Sequence, residues 1–265
     1  MNHPRRRATL TCLAAGLLTA ALPAVSAAAY PDKPIRLVVP FPPGQGADIL
    51  ARLIGQHLAA ALGQPIVVEN KVGAGGIIGT AFAAKAAPDG YTLYMGSSGP
   101  LAIGPHVYKA VGFDTLKDFA PISNIASVTQ VLVTAPASQL ASAKDVVERA
   151  RAQPGMVPFG SAGSGTTSHL TMELFTQMSG ISLSHVPYKG SSTSMIDVMA
   201  GRVPLMFGSL PGVLTNVKSG SLRAIAVASA QRDPLLPNVP TVAESGVPGF
   251  ATSGWIGLLA PARPP

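Results

Sequence analysis

Three glycine-rich turns in this chain each follow a short apolar run and each open a helix-like segment. The most informative is Phe159-Gly160-Ser161-Ala162-Gly163-Ser164-Gly165-Thr166-Thr167-Ser168-His169-Leu170, which offers many N–H groups and hydroxyls and no acidic side chain. A helix start of this kind attracts anions, because its first N–H groups lack an internal partner and the macrodipole adds partial positive charge. The second turn is Pro40-Phe41-Pro42-Pro43-Gly44-Gln45-Gly46 and the third is Met95-Gly96-Ser97-Ser98-Gly99. Two such turns from different halves of a protein can clamp one small carboxylate, which is the working expectation.

The first 29 residues read as a secretory signal. Arg5-Arg6-Arg7 is a positive start, Leu10 to Val25 is apolar but short for a membrane span, and Ser26-Ala27-Ala28-Ala29 offers a cleavage site near Ala29. The arginine run leaves Sec and twin-arginine export both open. Cys12 lies inside the apolar run, so cleavage is favoured over a lipid anchor. Removal of 29 from 265 residues leaves 236, and the Lys+Arg total falls from 19 to 16 against 12 acidic residues. That mild charge, without a basic run, argues against nucleic acid. The remaining chain has no cysteine, which excludes disulfides and thiolate metal sites. A periplasmic location is expected.

Strand and helix patterns alternate along the rest. Ile35–Pro40, Ile66–Glu69 and Tyr91–Met95 read as strands, with helices over 48–62 and 77–87 between them. Residues 122–133 read as one long extended segment that crosses between two lobes. The rhythm then restarts, with strands at 157–161, 183–188, 205–207 and 222–228 and helices at 144–152, 167–178, 193–200 and 211–218. Trp255-Ile256-Gly257-Leu258-Leu259 reads as the return crossing. The expected organisation is an α/β protein of two lobes, each a mostly parallel sheet flanked by helices, over 30–124 and 125–251, with 252–265 returning to the first lobe.

Catalytic and nucleotide motifs fail at their key positions. Gly160 to Thr167 has P-loop spacing, yet Thr166 stands where the phosphate-binding lysine is needed. Gly73-Ala74-Gly75-Gly76-Ile77-Ile78-Gly79 misplaces its last glycine for a dinucleotide fingerprint, and close helix packing explains it better. There is no Gly-x-Ser-x-Gly elbow and no His-Glu-x-x-His pattern. A Ser164–His169 pair is the one conceivable nucleophile and base, with hydrogen bonding to the turn as the simpler role. Ser164, Thr166 and Thr167 are open to both helix capping and ligand contact. Asp48 suits capping, because an acid beside an anion site repels the ligand. Lys189 is read as solvated, Tyr188 as either ligand-packing or core, and Trp255 as hinge or core.

Taken together, the chain resembles the Bug-type extracytoplasmic solute receptors of tripartite tricarboxylate transporters. The resemblance rests on Tyr30-Pro31-Asp32-Lys33-Pro34-Ile35, Val39-Pro40-Phe41-Pro42-Pro43-Gly44 with Asp48, and Val68-Glu69-Asn70-Lys71 with Gly73-Ala74-Gly75-Gly76. It continues through Pro88-Asp89-Gly90-Tyr91-Thr92-Leu93, Ser161-Ala162-Gly163-Ser164-Gly165-Thr166 with His169-Leu170, and His185-Val186-Pro187-Tyr188-Lys189-Gly190. Pro240-Thr241-Val242-Ala243-Glu244-Ser245-Gly246 and Gly257-Leu258-Leu259-Ala260-Pro261 complete it. It implies a Venus-flytrap fold of the type II periplasmic binding class, no catalysis, no cofactor or metal, and a monomer. The implied partners are a small organic anion (a di- or tricarboxylate, an acidic amino acid or an aromatic acid) and a membrane permease. A membrane sensor as partner and a serine hydrolase are the alternatives. The candidate ligand-binding residues are Phe41, Pro43, Gly44, Gly46, Ser97, Ser161, Ser164, Gly165, Thr166, Thr167, His169 and Tyr188.

Two departures from the family pattern stand out. An acid usually follows the phenylalanine matching Phe207, whereas this chain has Gly208-Ser209. Its loss either opens the cleft to a bulkier or more anionic ligand or, if that acid points outward, changes nothing. Family chains also usually continue past the match to Ala260-Pro261, so either a truncated product or a first lobe lacking part of its cover is expected.

Overall fold

Ile35, Leu37, Val38 and Val39 are fully buried, and only Arg36 of this run reaches solvent. A strand hidden on both faces belongs in the middle of a sheet covered by helices. The computed structural model describes residues 30–262, and the signal-peptide reading of residues 1–29 lies outside them. From Lys33 onward the chain forms one compact unit.

Strand β1 (Ile35–Val39) leads into α1 (Gly46–Leu62), then β2 (Ile66–Asn70), α2 (Ile77–Ala84) and β3 (Thr92–Ser97). A π-helical turn (Gly99–Ile103) and the short α3 (Gly104–Val107) precede β4 (Phe119–Val128). Next come β5 (Gln130–Thr134), α4 (Ala143–Ala152), β6 (Pro158–Ser161), α5 (Thr167–Ser179) and β7 (Ser184–Pro187). The last elements are α6 (Ser191–Met199), β8 (Leu205–Ser209), α7 (Leu210–Lys218), β9 (Arg223–Val227) and β10 (Gly254–Pro261).

The strands form two five-stranded sheets, ordered β2-β1-β3-β10-β4 and β7-β6-β8-β5-β9. The two orders share one plan. In each, the fourth strand runs antiparallel to both neighbours, and it is the strand by which the chain enters from the other sheet. The expected 122–133 segment is in fact two strands in different sheets. Thr129 breaks it: its carbonyl accepts from the Leu210 N–H at 2.9 Å and its hydroxyl donates to Asp233 at 3.1 Å. The return strand β10 appears where expected and pairs Gly254 with Val128. Helix α2 stops three residues early, because the chain ahead of Pro88 leaves helical geometry.

Each sheet has its own core. In the second, Phe207 and Phe250 stack at 6.5 Å while Phe175 meets both rings edge-on. In the first, the small Ala47 and Ala51 let α1 lie close over Leu37, Val39 and Met95.

Asp48 organises the first turn after β1. Its carboxylate is buried and accepts from the Gly44 N–H at 3.0 Å, from Arg52 at 2.9 and 3.0 Å, and from the Asn70 amide at 2.8 Å. Asn70 also donates to the Phe41 carbonyl at 2.8 Å. Burial alone raises the carboxyl pKa, but the bonds from Arg52, Asn70 and Gly44 outweigh it and hold the value below the ordinary range. A depressed carboxyl pKa stabilises the fold above the unfolded-chain value, and that stability is lost as pH falls through the folded value. Asp48→Ala should therefore cost about 1–3 kcal/mol at neutral pH. In urea titrations the gap from wild type should narrow below about pH 4; a gap independent of pH would mean that the charge contributes nothing.

Candidate functional site

Helix starts normally satisfy their leading N–H groups with a side-chain cap. Helix α4 does so fully: the Ser142 hydroxyl accepts from Asp145 N–H while Asp145 accepts from Ser142 N–H. The starts of α2 and α3 lack a cap from their own N-cap side chain, and so do five others: α1, the π-helical turn, α5, α6 and α7. All five contribute to one cavity between the two sheets, through Gln45 and Ala47, Ser98 and Gly99, Thr166 to Ser168, Ser191, and Ser209. Strands β1, β3, β6 and β8 end at it, and the region just after β7 supplies Ser191. This is the carboxyl-end location where open α/β sheets place their ligands.

The cavity has a volume of about 60 Å³, room for on the order of five water molecules. Phe41, Val128, Trp255 and Ile256 supply its apolar surface, and Ser97, Gln130 and the residues above supply its polar surface. No Asp, Glu, Lys, Arg or His lines it among the described residues. The positive potential therefore comes from oriented peptide N–H groups, each helix start equivalent to roughly half a charge. Hydroxyls can add to it by donating.

The two sheets are drawn together around this space. The Ser191 N–H donates to Gln45 Oε1 at 3.0 Å, the Ser98 and Thr167 hydroxyls meet at 2.9 Å, and the Tyr108 hydroxyl donates to the Ser164 carbonyl at 2.9 Å. Glycine permits close approach at two of the contacts. A Cβ on Gly46 would stand 2.4 Å from Ser209 Oγ, and one on Gly75 would stand 2.6 Å from the Ser164 carbonyl. Gly75 thus serves approach between the lobes. Gly79 of the same glycine cluster serves helix packing, with its Cβ position 2.7 Å from Pro40 Cα.

Of the sequence-predicted residues, Phe41, Ser97, Thr166 and Thr167 line the cavity. Gly46 lies just behind, at the Ser209 contact. Pro43 and Gly44 are exposed. Ser161, Ser164, Gly165 and His169 build the turn from behind or beside. The Thr166 hydroxyl is committed to the Gly163 carbonyl at 2.6 Å, and Ser168 Oγ accepts from the Ala162 N–H at 3.0 Å. Ser161 Oγ accepts from the Gly163 N–H at 3.0 Å and meets His185 Nε2 at 2.6 Å. His169 Nδ1 accepts from the Gly165 N–H at 3.3 Å while its Nε2 faces Glu173 at 3.5 Å, so both ring nitrogens are engaged by partners other than Ser164 Oγ.

His169 and His185 stack at 4.0 Å with Phe159 beneath. Burial, then the neighbouring His169, push His185 down to about 4, and burial lowers His169 as well. Tyr188 donates to Asp197 at 2.7 Å; burial and that bond push its phenol up to about 12. Lys189 is exposed and Trp255 lines the cavity. Gly208 stays outside the lining, and a Cβ there would meet Val213 at 2.5 Å under α7. An acid at that position would not enter this cavity, and Gly208 does not widen it.

Sequence reasoning missed Gln45, Ser98, Gln130, Ser168, Ser191 and Ser209 as lining residues. Ser98, Ser168 and Ser209 sit at helix starts, and a search for uncapped starts would have found them. Gln130 has no motif; its only signal is a polar residue at the head of a buried strand.

A family model described as the tripartite tricarboxylate transporter family receptor matches residues 50–265. The protein BugT of Bordetella pertussis is 42% identical over 238 residues, covering 89% of this chain and 73% of the relative. Among solved structures, Rpa4515 of R. palustris with adipate is 38% identical with a TM-score of 0.86, over 89% of this chain and 79% of that one. MatC of Rhodopseudomonas palustris with bound malate is 30% identical with a TM-score of 0.83, over 89% and 80%. With that match over most of its length, and with the paired mixed sheets closing on an uncharged cavity, the chain belongs to the tripartite tricarboxylate transporter receptor family.

Proposed function

We propose that this protein is an exported receptor that captures a small organic carboxylate in the cavity between its sheets and passes it, chemically unchanged, to the permease of a tripartite tricarboxylate transporter. The observation that carries this reading is the convergence of five helix starts, none capped by its own N-cap side chain, on a cavity that no charged side chain lines among the described residues. An anion there is met by donors already oriented toward it. No acid repels it and no buried cation remains unpaired when it leaves. The adipate and malate in the two similar structures support the same ligand class.

Binding and closure are linked by where the donors sit. Gly46, Ala47, Ser98 and Gly99 belong to the first sheet's turns, and Thr167, Ser168, Ser191 and Ser209 to the second's. A ligand on one lobe gains the other lobe's donors only when the cleft shuts, which is the differential affinity that drives closure. Each hydrogen bond to a charged group contributes about 1.5–3 kcal/mol, so three or four give useful affinity while permitting release.

The test is a thermal-shift screen with adipate, malate, succinate, citrate and benzoate, followed by calorimetry. At least one acid should raise the melting temperature through mass action; no stabilisation by any of them counts against the reading. Affinity should stay flat from pH 7 to 9, because no lining side chain titrates and burial holds both stacked histidines below the ordinary imidazole value. It should fall only as the ligand itself neutralises, near the ordinary carboxyl range of about 4–5. Gly46→Val should hold the lobes apart at Ser209 and weaken binding about ten-fold or more, with the far-ultraviolet spectrum unchanged.

A further inference from the structure

Strand β5 alternates between two packed faces. Val131 and Val133 join the cluster with Met206 and Val227, while Leu132 joins Phe159, Phe175 and Phe207 on the other face. Gln130 shares the Leu132 face by this alternation, at a position where an apolar residue would continue the core. It is 4% exposed, its side chain has no hydrogen-bond partner among the described residues, and it lines the cavity opposite Ser209 in the β5–β8 register. The side-chain atoms that are fully enclosed and unpartnered are Thr171 Oγ1, Ser179 Oγ and Ser194 Oγ. The Gln130 amide is not among them, because it opens onto the cavity.

The amide differs from its neighbours in chemistry. The lining is rich in donors, namely peptide N–H groups and rotatable hydroxyls, and these suit a carboxylate, which only accepts. The other glutamine there, Gln45, already spends its carbonyl on the Ser191 N–H. That leaves Gln130 with the one side-chain carbonyl in the lining that has no donor, alongside an NH2 that has no acceptor. A plain carboxylate can serve the NH2 but not the carbonyl. A hydroxyl serves either, since it donates and accepts.

We propose that Gln130 is a specificity-determining residue that reads a hydroxyl on the carboxylate ligand, selecting hydroxy acids over the unsubstituted acids of the same length. The proposal rests on the carboxylate reading above. An ammonium in place of the hydroxyl also donates, but it brings positive charge to a cavity ringed by helix starts and finds no carboxylate side chain there.

Succinate, malate and aspartate share a four-carbon skeleton and separate these cases. Calorimetry on the wild-type protein should show malate bound at least about ten-fold more tightly than succinate or aspartate, as a hydrogen-bonding site discriminates against an analogue lacking its hydroxyl. In Gln130→Met the malate-to-succinate ratio should fall to near one. In Gln130→Glu, a carboxylate aimed into the cavity should weaken all dicarboxylates together, and thermal melts confirm that each variant is folded. A wild-type ratio near one, a preference for aspartate, or a ratio that survives in Gln130→Met overturns the assignment while leaving the carboxylate reading intact. Wild-type protein that binds none of the screened acids overturns both.

Discussion

An anion cannot leave water for a protein interior unless something replaces its hydration. In the proposed reading, this fold offers the peptide N–H groups of helix starts in its place, rather than lysine or arginine. The arrangement demands that those starts stay free of side-chain caps where they meet the cavity, and that their strands end at one place. The strands do end at one place, and no start there is capped by its own N-cap side chain, although the Ser191 N–H is met across the cavity by Gln45; α4, whose start does not line the cavity, is capped fully by Ser142 and Asp145. Oriented dipoles also keep the empty cleft tolerable. Water can serve peptide N–H groups and serine hydroxyls in the open state, whereas a buried ammonium without its partner would carry a heavier penalty.

The shared strand plan of the two sheets explains how the donors come to face one another. Each sheet accepts a crossing strand in its fourth place, β10 in the first and β5 in the second. The crossings pass beside the cavity, at Val128 and Gln130 on one strand pair and at Gly254 to Ile256 on the other. Along the described chain the two sheets are linked only through Thr129 and through the segment before Gly254. Small side chains set how close the closed state can come: Gly46 against Ser209 and Gly75 against the Ser164 carbonyl.

Much of the fold was legible before any coordinates. The apolar runs, the left-handed glycines that end α1 and α5, and the proline stops placed nearly every strand and helix, because these are local effects of period and backbone geometry. The Ser161–Thr167 turn was recognisable too, but not the division of labour within it. Thr166 spends its hydroxyl on Gly163, while Thr167 turns toward Ser98 on the other lobe. Both are threonines at one helix start, and only the position of the opposing lobe separates their roles. The extended stretch around Thr129 was likewise readable as extended, but its break between two sheets depends on bonds to Leu210 and Asp233, far away in the chain.

The amino-acid order settled what is local: the two α/β halves, the glycine-rich turns, the absence of a catalytic motif, and the family those motifs carry. Period, turn chemistry and helix termination act within a few residues, so they are written in the chain itself. Tertiary contact alone settled which helix starts meet at a common cavity, that Gln45 bonds across it to Ser191, and that Gln130 and Trp255 face it. Those facts depend on residues 69 and 146 positions apart meeting where the two sheets face each other, and no local pattern encodes such a meeting.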